Sequence, residues 1–360
     1  RALGHGFTEA MVRVAAVKLA EVLAPETELF HVSVLSFAFV VDLPAPGSVP
    51  PAVVEIARRF AEPIRIDDIP INLHVGVGLL PLDGERSAAE SLRAALTAGQ
   101  DSRKGDDGWA WYDHQSDAAH IRAFRMLGDL PAAIASGNQL SLHLQPRTAL
   151  ATSRCTGAEA LLRWNHPVLG AIPPGEFIGL VEQTALIGPL TNWVLNNAMQ
   201  HAARLKAAGK PVRISMNASP ANLSEQGFDE TVLLLCRQHG LEPEDIEIEF
   251  TEGALAVNFD RAVAQLERLR DAGVEVAIDD FGAGFSNLSY LTSIPADVLK
   301  IDQSFIRPLG ARASDTFLVR QIIETARGLG FKVCAEGIED QATFDTLRQL
   351  GCEEGQGYFI

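Results

Sequence analysis

Basic residues are scarce in this chain: 30 lysines and arginines stand against 46 acids over 360 residues, a formal net charge of −16. That shortage argues against non-specific binding to nucleic-acid polymers or membrane surfaces, which needs basic patches. An anionic small molecule stays possible, because bound divalent cations reverse the local field. Cysteine is sparse as well. Cys155, Cys236, Cys334 and Cys352 lie far apart and form no CxxC pair, which suits free thiols in a reducing compartment rather than zinc. The histidines form no HExxH, and His143, His166 and His201 read as structural or surface residues. No apolar run approaches the roughly 20 residues of a membrane span, and the first residues lack the basic start and apolar stretch of a signal peptide. We therefore expect a cytoplasmic protein. Arg1 opens inside a helical pattern, so an upstream portion with a sensor or membrane anchor is compatible with this start.

What the sequence has in quantity is alternation. From about residue 115 onward, strand-like segments at 141–146, 157–163, 212–217, 245–251, 274–279, 297–302, 331–336 and 354–359 are separated mostly by amphipathic helical patterns. The helices are expected at 175–186 with 188–208, 220–239, 256–272, 312–329 and 340–350, with a shorter segment at 286–294. This order predicts parallel strands joined by helical crossovers. Eight strands over this length match a closed (β/α)8 TIM-like barrel better than an open sheet, and no GxGxxG follows the first strand to support dinucleotide binding. Residues 1–112 have another rhythm: helices at 7–23, 51–62 and 88–99, a long apolar strand or hairpin at 30–43, and a strand at 70–80. The polar segment 100–117 reads as a junction, and helix 119–136 leads onward. The expected division is thus a smaller α/β domain, 1–115, and a barrel, 116–360.

Five carboxylates and one amide, Glu159, Asn217, Glu249, Asp279, Asp280 and Glu336, sit within or at the ends of the barrel's strand-like runs. In such barrels the C-terminal strand ends build the active site. Crowded carboxylates must protonate or share cations, and oxygen ligands favour Mg²⁺ or Mn²⁺ over Zn²⁺. Strict alternation would send Asp279 and Asp280 to opposite faces; a chain already turning at the strand end would let both reach one site. Gly282 and Gly284 supply a turn and a loop able to move over the mouth. Lys300 and Asp302 share a face, and a lysine beside cations is suited to orient an attacking water or neutralise charge on a phosphoryl oxygen. Glu247 shares a face with Glu249 and reads as support rather than ligand.

The ordered motifs carry a resemblance. Glu159-Ala160-Leu161, within GAEALLRWNHP, resembles the signature of the EAL family of cyclic-di-GMP phosphodiesterases. Around it stand LHLQP (142–146), SMNAS (215–219), EFTE (249–252), DDFGAGFSNLSYL (279–291), DVLKID (297–302), AEGIE (335–339) and QGY (356–358). The resemblance covers about 119–360 and implies two-metal hydrolysis of cyclic-di-GMP to linear pGpG. It further implies that Glu159, Asn217, Glu249 and Asp279 hold one cation, and that Asp279, Asp280 and Glu336 hold the other. By the same resemblance, Lys300 contacts the catalytic water, Gln356 lies near it, and Glu252 tethers the loop after Asp280. Gln145, Leu161, Arg163, Asp302 and Glu339 would touch the dinucleotide, and the barrel would form a homodimer. The loop departs from the family pattern: Ala283, Phe285 and Asn287 replace the commoner Thr, Tyr and Ser.

Residues 1–112 resemble, more loosely, a GGDEF domain lacking its first strand. LGHGF (3–7), HVGVGLLPLDG (74–84) and the 95–113 segment carry the likeness. Where that family has Gly-Gly-Asp-Glu-Phe, this chain has Leu35-Ser36-Phe37-Ala38-Phe39, and its RxxD inhibitory site aligns with Glu26-Thr27-Glu28-Leu29. Carboxylate chemistry cannot be run with phenylalanine and alanine, so a regulatory role without cyclase activity is expected. Two rivals stand beside the hydrolase reading. One is a non-catalytic cyclic-di-GMP receptor signalling through the degenerate domain; the other is a metal-dependent barrel enzyme acting on a carbon acid.

Overall fold

A computed structural model describes residues 4–43, 45, 47–66, 69–82, 84, 86–105, 107–255, 258–282, 291–310 and 312–360. The chain forms two compact units, Arg1–Phe124 and Arg125–Ile360. Helix His114–Ser136 starts within the last residues of the polar segment, earlier than the expected 119, and the division falls within it.

The second unit is a closed ring of eight strands, Leu140–Ala149, Arg154–His166, Arg213–Asn217, Ile246–Thr251, Glu275–Phe281, Val298–Ile301, Lys332–Ala335 and Glu354–Gln356. Pairing of Arg213–Asn217 with Arg154–His166 closes it. This is a TIM-like barrel with one departure from the expected all-parallel ring. Strand Leu140–Ala149 runs antiparallel to both neighbours. The cause is the connection to the next strand, residues 150–153, which is a hairpin turn and far too short for a helical crossover. Strand Arg154–His166 pairs with the next ring strand only over Gly157–Glu159 and then continues beside its hairpin partner and the short strand Gly170–Ile172. Glu159 is therefore inside a long strand, with Leu161 and Arg163 farther along the projecting part.

The strands face their apolar side chains outward, under the helices. In Ile246–Thr251, Ile246, Ile248 and Phe250 enter the main core while Glu247 and Glu249 take the opposite face. Val276 and Ile278, and Leu299 and Ile301, repeat this in the next two strands. The helix layer answers with matching stripes: Phe259–Asp271 buries Ala262, Leu266 and Leu269, spaced for one face. Each fully buried leucine contributes roughly 1.5–3 kcal/mol. On the ring's inner side, Ala277, Val298 and Cys334 form a small separate buried cluster, two residues before Asp279, Lys300 and Glu336 respectively. Small apolar groups in mid-barrel leave space above and below for polar ones.

The expected helix 220–239 is two helices, Pro220–Ser224 and Phe228–His239, because Gly227 adopts a left-handed conformation between them. The expected segment 286–294 lies largely outside the described residues. In the first unit, helices Gly4–Ala20, Pro51–Ala61 and Ala88–Asp101 accompany three two-stranded pairings. The apolar run 30–43 folds as a hairpin, Leu29–Ser33 with Ser36–Phe39, and Phe37 and Phe39 pack against the local core. Trp109 and Trp111 belong to a strand paired with Val77–Leu79. Among the described residues, no helix is long and apolar enough to cross a membrane.

Candidate metal centre and active site

Alternation alone carries Glu159, Asn217, Glu249, Lys300 and Gln356 to the inner side of the ring; Asp279 and Asp280 need more. Opposite Leu299–Ile301, the neighbouring strand places Ile278 and Phe281 as partners, so three residue steps face two. That extra residue is a β-bulge. Asp280 takes the left-handed conformation there, with φ +51°, uncommon for a residue other than glycine. The bulge turns two consecutive aspartates towards one place.

At the centre lies Lys300, wholly buried. Its Nζ is 2.6 Å from Glu249 Oε2, 2.7 Å from Glu336 Oε1, 3.0 Å from Asp279 Oδ1 and 3.4 Å from Glu159 Oε2. Gln356 Nε2 donates to Glu159 Oε2 at 2.8 Å and to Glu336 Oε1 at 2.9 Å. Asn217 Nδ2 donates to Glu159 Oε1 at 2.9 Å. One carboxylate oxygen from each of Glu159, Glu249 and Asp279 lies within 4.8 Å of the others, and the same holds for Asp279, Asp280 and Glu336. Among the described residues these are the two acid groups able to hold a metal ion, and they share Asp279.

The electrostatics are those of excess negative charge in a site buried at Glu159, Glu249, Asp279 and Lys300 and open at Asp280. Burial pushes the Glu249 carboxyl well above its usual range, with the Glu159 charge adding to the rise and Lys300 opposing it. Burial raises Glu336 to about 7, although Lys300 pulls the other way. Asp280 is exposed at the edge of the site, where partial desolvation and the neighbouring Asp279 charge still raise its carboxyl to about 6. Burial also works against Glu159, yet Lys300, Gln356 and Asn217 outweigh it and hold that carboxyl below its usual range. Lys300 stays protonated: burial disfavours its charge, but Glu159, Glu249, Asp279 and Glu336 together raise it well above the ordinary lysine value. One lysine cannot neutralise five acids. Glu249 Oε1 is buried without a hydrogen-bond partner, a costly state for a carboxylate. An oxygen-rich set with an orphaned buried oxygen fits hard divalent cations.

The other expected site residues are more peripheral. Glu252 Oε1 accepts from Gly282 N at 3.4 Å, a long contact to the start of the loop. Gln145 is the hairpin partner of Glu159, and Leu161 and Arg163 pair with His143 and Ser141. Arg163 Nη1 donates to Leu162 O at 2.8 Å. Asp302 caps the next helical turn, and Glu339 forms a surface ion pair with Arg307 at 3.3 Å. Ala283, Phe285 and Asn287 lie outside the described residues. His166 is buried, with Nε2 3.0 Å from Asp129 Oδ2 and Nδ1 accepting from two backbone amides.

Below the acid cluster is a second buried network that the sequence reading did not assemble. Arg147 grips Glu247 with both terminal nitrogens, at 2.6 and 2.5 Å, and its Nε is 3.1 Å from Glu354 Oε2. Glu275 is held by Arg213 at 2.5 Å and Lys332 at 2.7 Å. A Cβ on Gly157 would lie 3.1 Å from Arg147 Nη2, so a small residue there leaves room for the guanidinium. Glu247 is thus a salt-bridge partner, away from the two candidate cation groups. Spacing puts Arg147 on the face of Gln145 and Glu275 on that of Asp279, but it does not say which acid meets which base.

Comparison with known proteins agrees with this geometry. A family model described as the EAL domain matches residues 128–360. Over an alignment of 365 positions that spans the whole chain, it is 37% identical to Cyclic di-GMP phosphodiesterase PA2567 of Pseudomonas aeruginosa, of which it covers 62%. It is 33% identical over 361 residues, 99% of its length, to Cyclic di-GMP phosphodiesterase NbdA of the same organism, covering 46% of that protein. Among solved structures, the PaMucR phosphodiesterase in complex with c-di-GMP is 37% identical with a TM-score of 0.61, and the match covers 65% of this chain and 95% of that one. The chain spans less than two thirds of the length of these two curated relatives.

Proposed function

The chain belongs to the family of proteins built on an EAL domain, and from that membership we propose that it hydrolyses cyclic di-GMP to linear pGpG with two divalent cations, Mg²⁺ or Mn²⁺. The observation that carries this reading is the pair of acid groups joined through Asp279 around buried Lys300. Glu159, Asn217, Glu249 and Asp279 would hold one cation, and Asp279, Asp280 and Glu336 the other. Such a pair supplies an activated water and stabilises the departing oxygen of an in-line displacement.

The side chains do the rest. Lys300 Nζ keeps its proton and offers fixed positive charge to the attacking oxygen and to the negative charge growing on phosphorus. Gln356 fixes Glu159 and Glu336 relative to each other, and Asn217 steadies Glu159, so the acid cage is set before substrate arrives. Glu252 restrains the turn at Gly282. Gln145, Leu161 and Arg163 on the hairpin, with Asp302 and Glu339 after strands Val298–Ile301 and Lys332–Ala335, are the proposed contacts for the nucleotide. We assign residues 1–115 to a degenerate GGDEF-like domain and 116–360 to the phosphodiesterase. Phe37 and Ala38 at the expected acidic pair, and the partly buried setting of Phe37 and Phe39, support a regulatory part without cyclase chemistry. A homodimer through the barrel and an upstream sensor segment belong to the same proposal.

Product analysis tests the reading. Wild-type protein with Mg²⁺ or Mn²⁺ is expected to release pGpG from cyclic di-GMP, and Glu159→Ala to release none. Tight binding with no cleavage by wild type would favour the receptor reading instead.

A further inference from the structure

One helical turn touches both of the turns that follow the acidic strands flanking the lysine strand. Gln303–Ile306 begins directly after Asp302, whose side chain caps it by accepting from Ser304 N at 3.0 Å. On one side its Phe305 ring lies against Gly282, where a Cβ would come within 2.6 Å of Phe305 Cε2 and 2.9 Å of Cζ. On the other side a Cβ on Gly337 would lie 2.6 Å from Gln303 Cβ. Both glycines are left-handed, with φ +94° and +73°. Gly282 stands two residues beyond Asp280, and Gly337 directly follows Glu336.

Asp280 is the part of the site that most needs an outside restraint. Its left-handed backbone is sparsely populated and persists only where the surroundings over-determine it. The contact from Gly282 N to Glu252 is long, at 3.4 Å, whereas the Phe305 ring is packed so closely that no side chain fits beneath it. Glu336 N is tied to Ile301 O at 3.1 Å, so its position also depends on where the lysine strand ends.

We propose that the turn Gln303–Ile306 is a wedge that sets the spacing of Asp280 and Glu336, with Phe305 and Gln303 as positioning residues for the second cation. Neither side chain touches the cation. Phe305 holds the bulge turn through Gly282, and Gln303 holds the opposite turn through Gly337. The inference rests on the two-cation reading above, and its test does not use hydrolysis.

The test is calorimetric titration of Mn²⁺ into the full chain without nucleotide. Wild type is expected to show two binding events. Phe305→Ala should weaken one of them by about 10- to 100-fold, the usual effect of removing a group that orients a ligand, and leave the other nearly unchanged. Gln303→Ala should weaken the same event by a smaller factor, and Phe305→Leu, which keeps apolar bulk over Gly282, should recover most of the loss. Should Phe305→Ala fail to fold, Gln303→Ala carries the test, expected to weaken that single event. Equal weakening of both events, unchanged titration in folded Phe305→Ala or Gln303→Ala, or fewer than two cations bound by wild type would overturn the proposal. Two bound cations in a wild type that releases no pGpG would sink the hydrolase reading and leave the wedge standing.

Discussion

The mouth and the floor of the barrel are both lined with buried acids, yet they are built to opposite ends. On the floor, Glu247, Glu275 and Glu354 meet Arg147, Arg213 and Lys332, so each acid has a cation within reach. At the mouth, Glu159, Glu249, Asp279 and Glu336 crowd around Lys300, with Asp280 beside them, and Glu249 Oε1 is left without a partner. Matched charge in a dry barrel is architecture. Unmatched negative charge in the same barrel needs a partner from outside. Burial alone does not distinguish a ligand from a strut; the count of opposing side chains does.

The sharpest way to break this contrast is to remove the central cation of each region. Lys300→Met is expected to lower turnover of cyclic di-GMP by about 10³-fold, as loss of a fixed charge-stabilising donor does. Steady-state kinetics at saturating Mn²⁺ would show it, and near-normal turnover would remove Lys300 from the chemistry. Arg147→Met should instead cost stability, roughly 3–5 kcal/mol, by leaving Glu247 buried and unpaired. Pairing it with Glu247→Leu should recover most of that loss in denaturant titrations, because the apolar pair leaves no stranded charge. If the double variant stayed as unstable as the single one, the floor would not be the neutralised network described here.

Withdrawing cations tests the mouth directly. Divalent ions at about 100 times their Kd are expected to stabilise the wild type by about 2.7 kcal/mol per site, seen as a higher melting temperature that chelator reverses. Glu159→Ala should lose much of that response, and Arg147→Met should keep it. Gln356→Leu, which frees Glu159 and Glu336 from their shared donor, is expected to weaken cation binding by about tenfold.

A smaller effect separates the regions by pH. Partial desolvation and the Asp279 charge raise Asp280 from 3.8 to about 6, and burial raises Glu336 from 4.5 to about 7. These groups bind protons more tightly in the folded chain than in the unfolded one. Their contribution favours folding below pH 4, declines as pH rises through 7, and is flat above that. Metal-free protein should therefore lose stability across this window, and Glu336→Gln should flatten the decline. Cations should restore stability above pH 7 and do little at pH 5, where protons compete for the same oxygens. A slope unchanged by Glu336→Gln would place the titration elsewhere.

Much of the mouth was readable from period and position. Asn217, Glu249 and Asp279 end apolar strand runs, and alternation puts Lys300 on the ring's inner face with them. Four features were not readable. The bulge at Asp279–Asp280 violates the alternation that strand reading depends on, and only the left-handed Asp280 backbone reveals it. The reversed first strand is hidden because its segment looks like any other strand, and the decisive fact is the shortness of the 150–153 turn. The floor network escaped because its members come from separate strands, joined by pairing across the ring rather than by nearness in sequence. Helix 220–239 breaks at Gly227, a residue that a helical pattern tolerates on paper but that here takes a positive φ no α-helix accommodates.

Anomalous diffraction from crystals soaked in Mn²⁺ addresses the main point most directly. The account predicts two peaks on either side of Asp279, one near Glu159 and Glu249 and one near Asp280 and Glu336, with none beside Glu247, Glu275 or Glu354. A mouth without anomalous signal, or a peak on the floor, would contradict it.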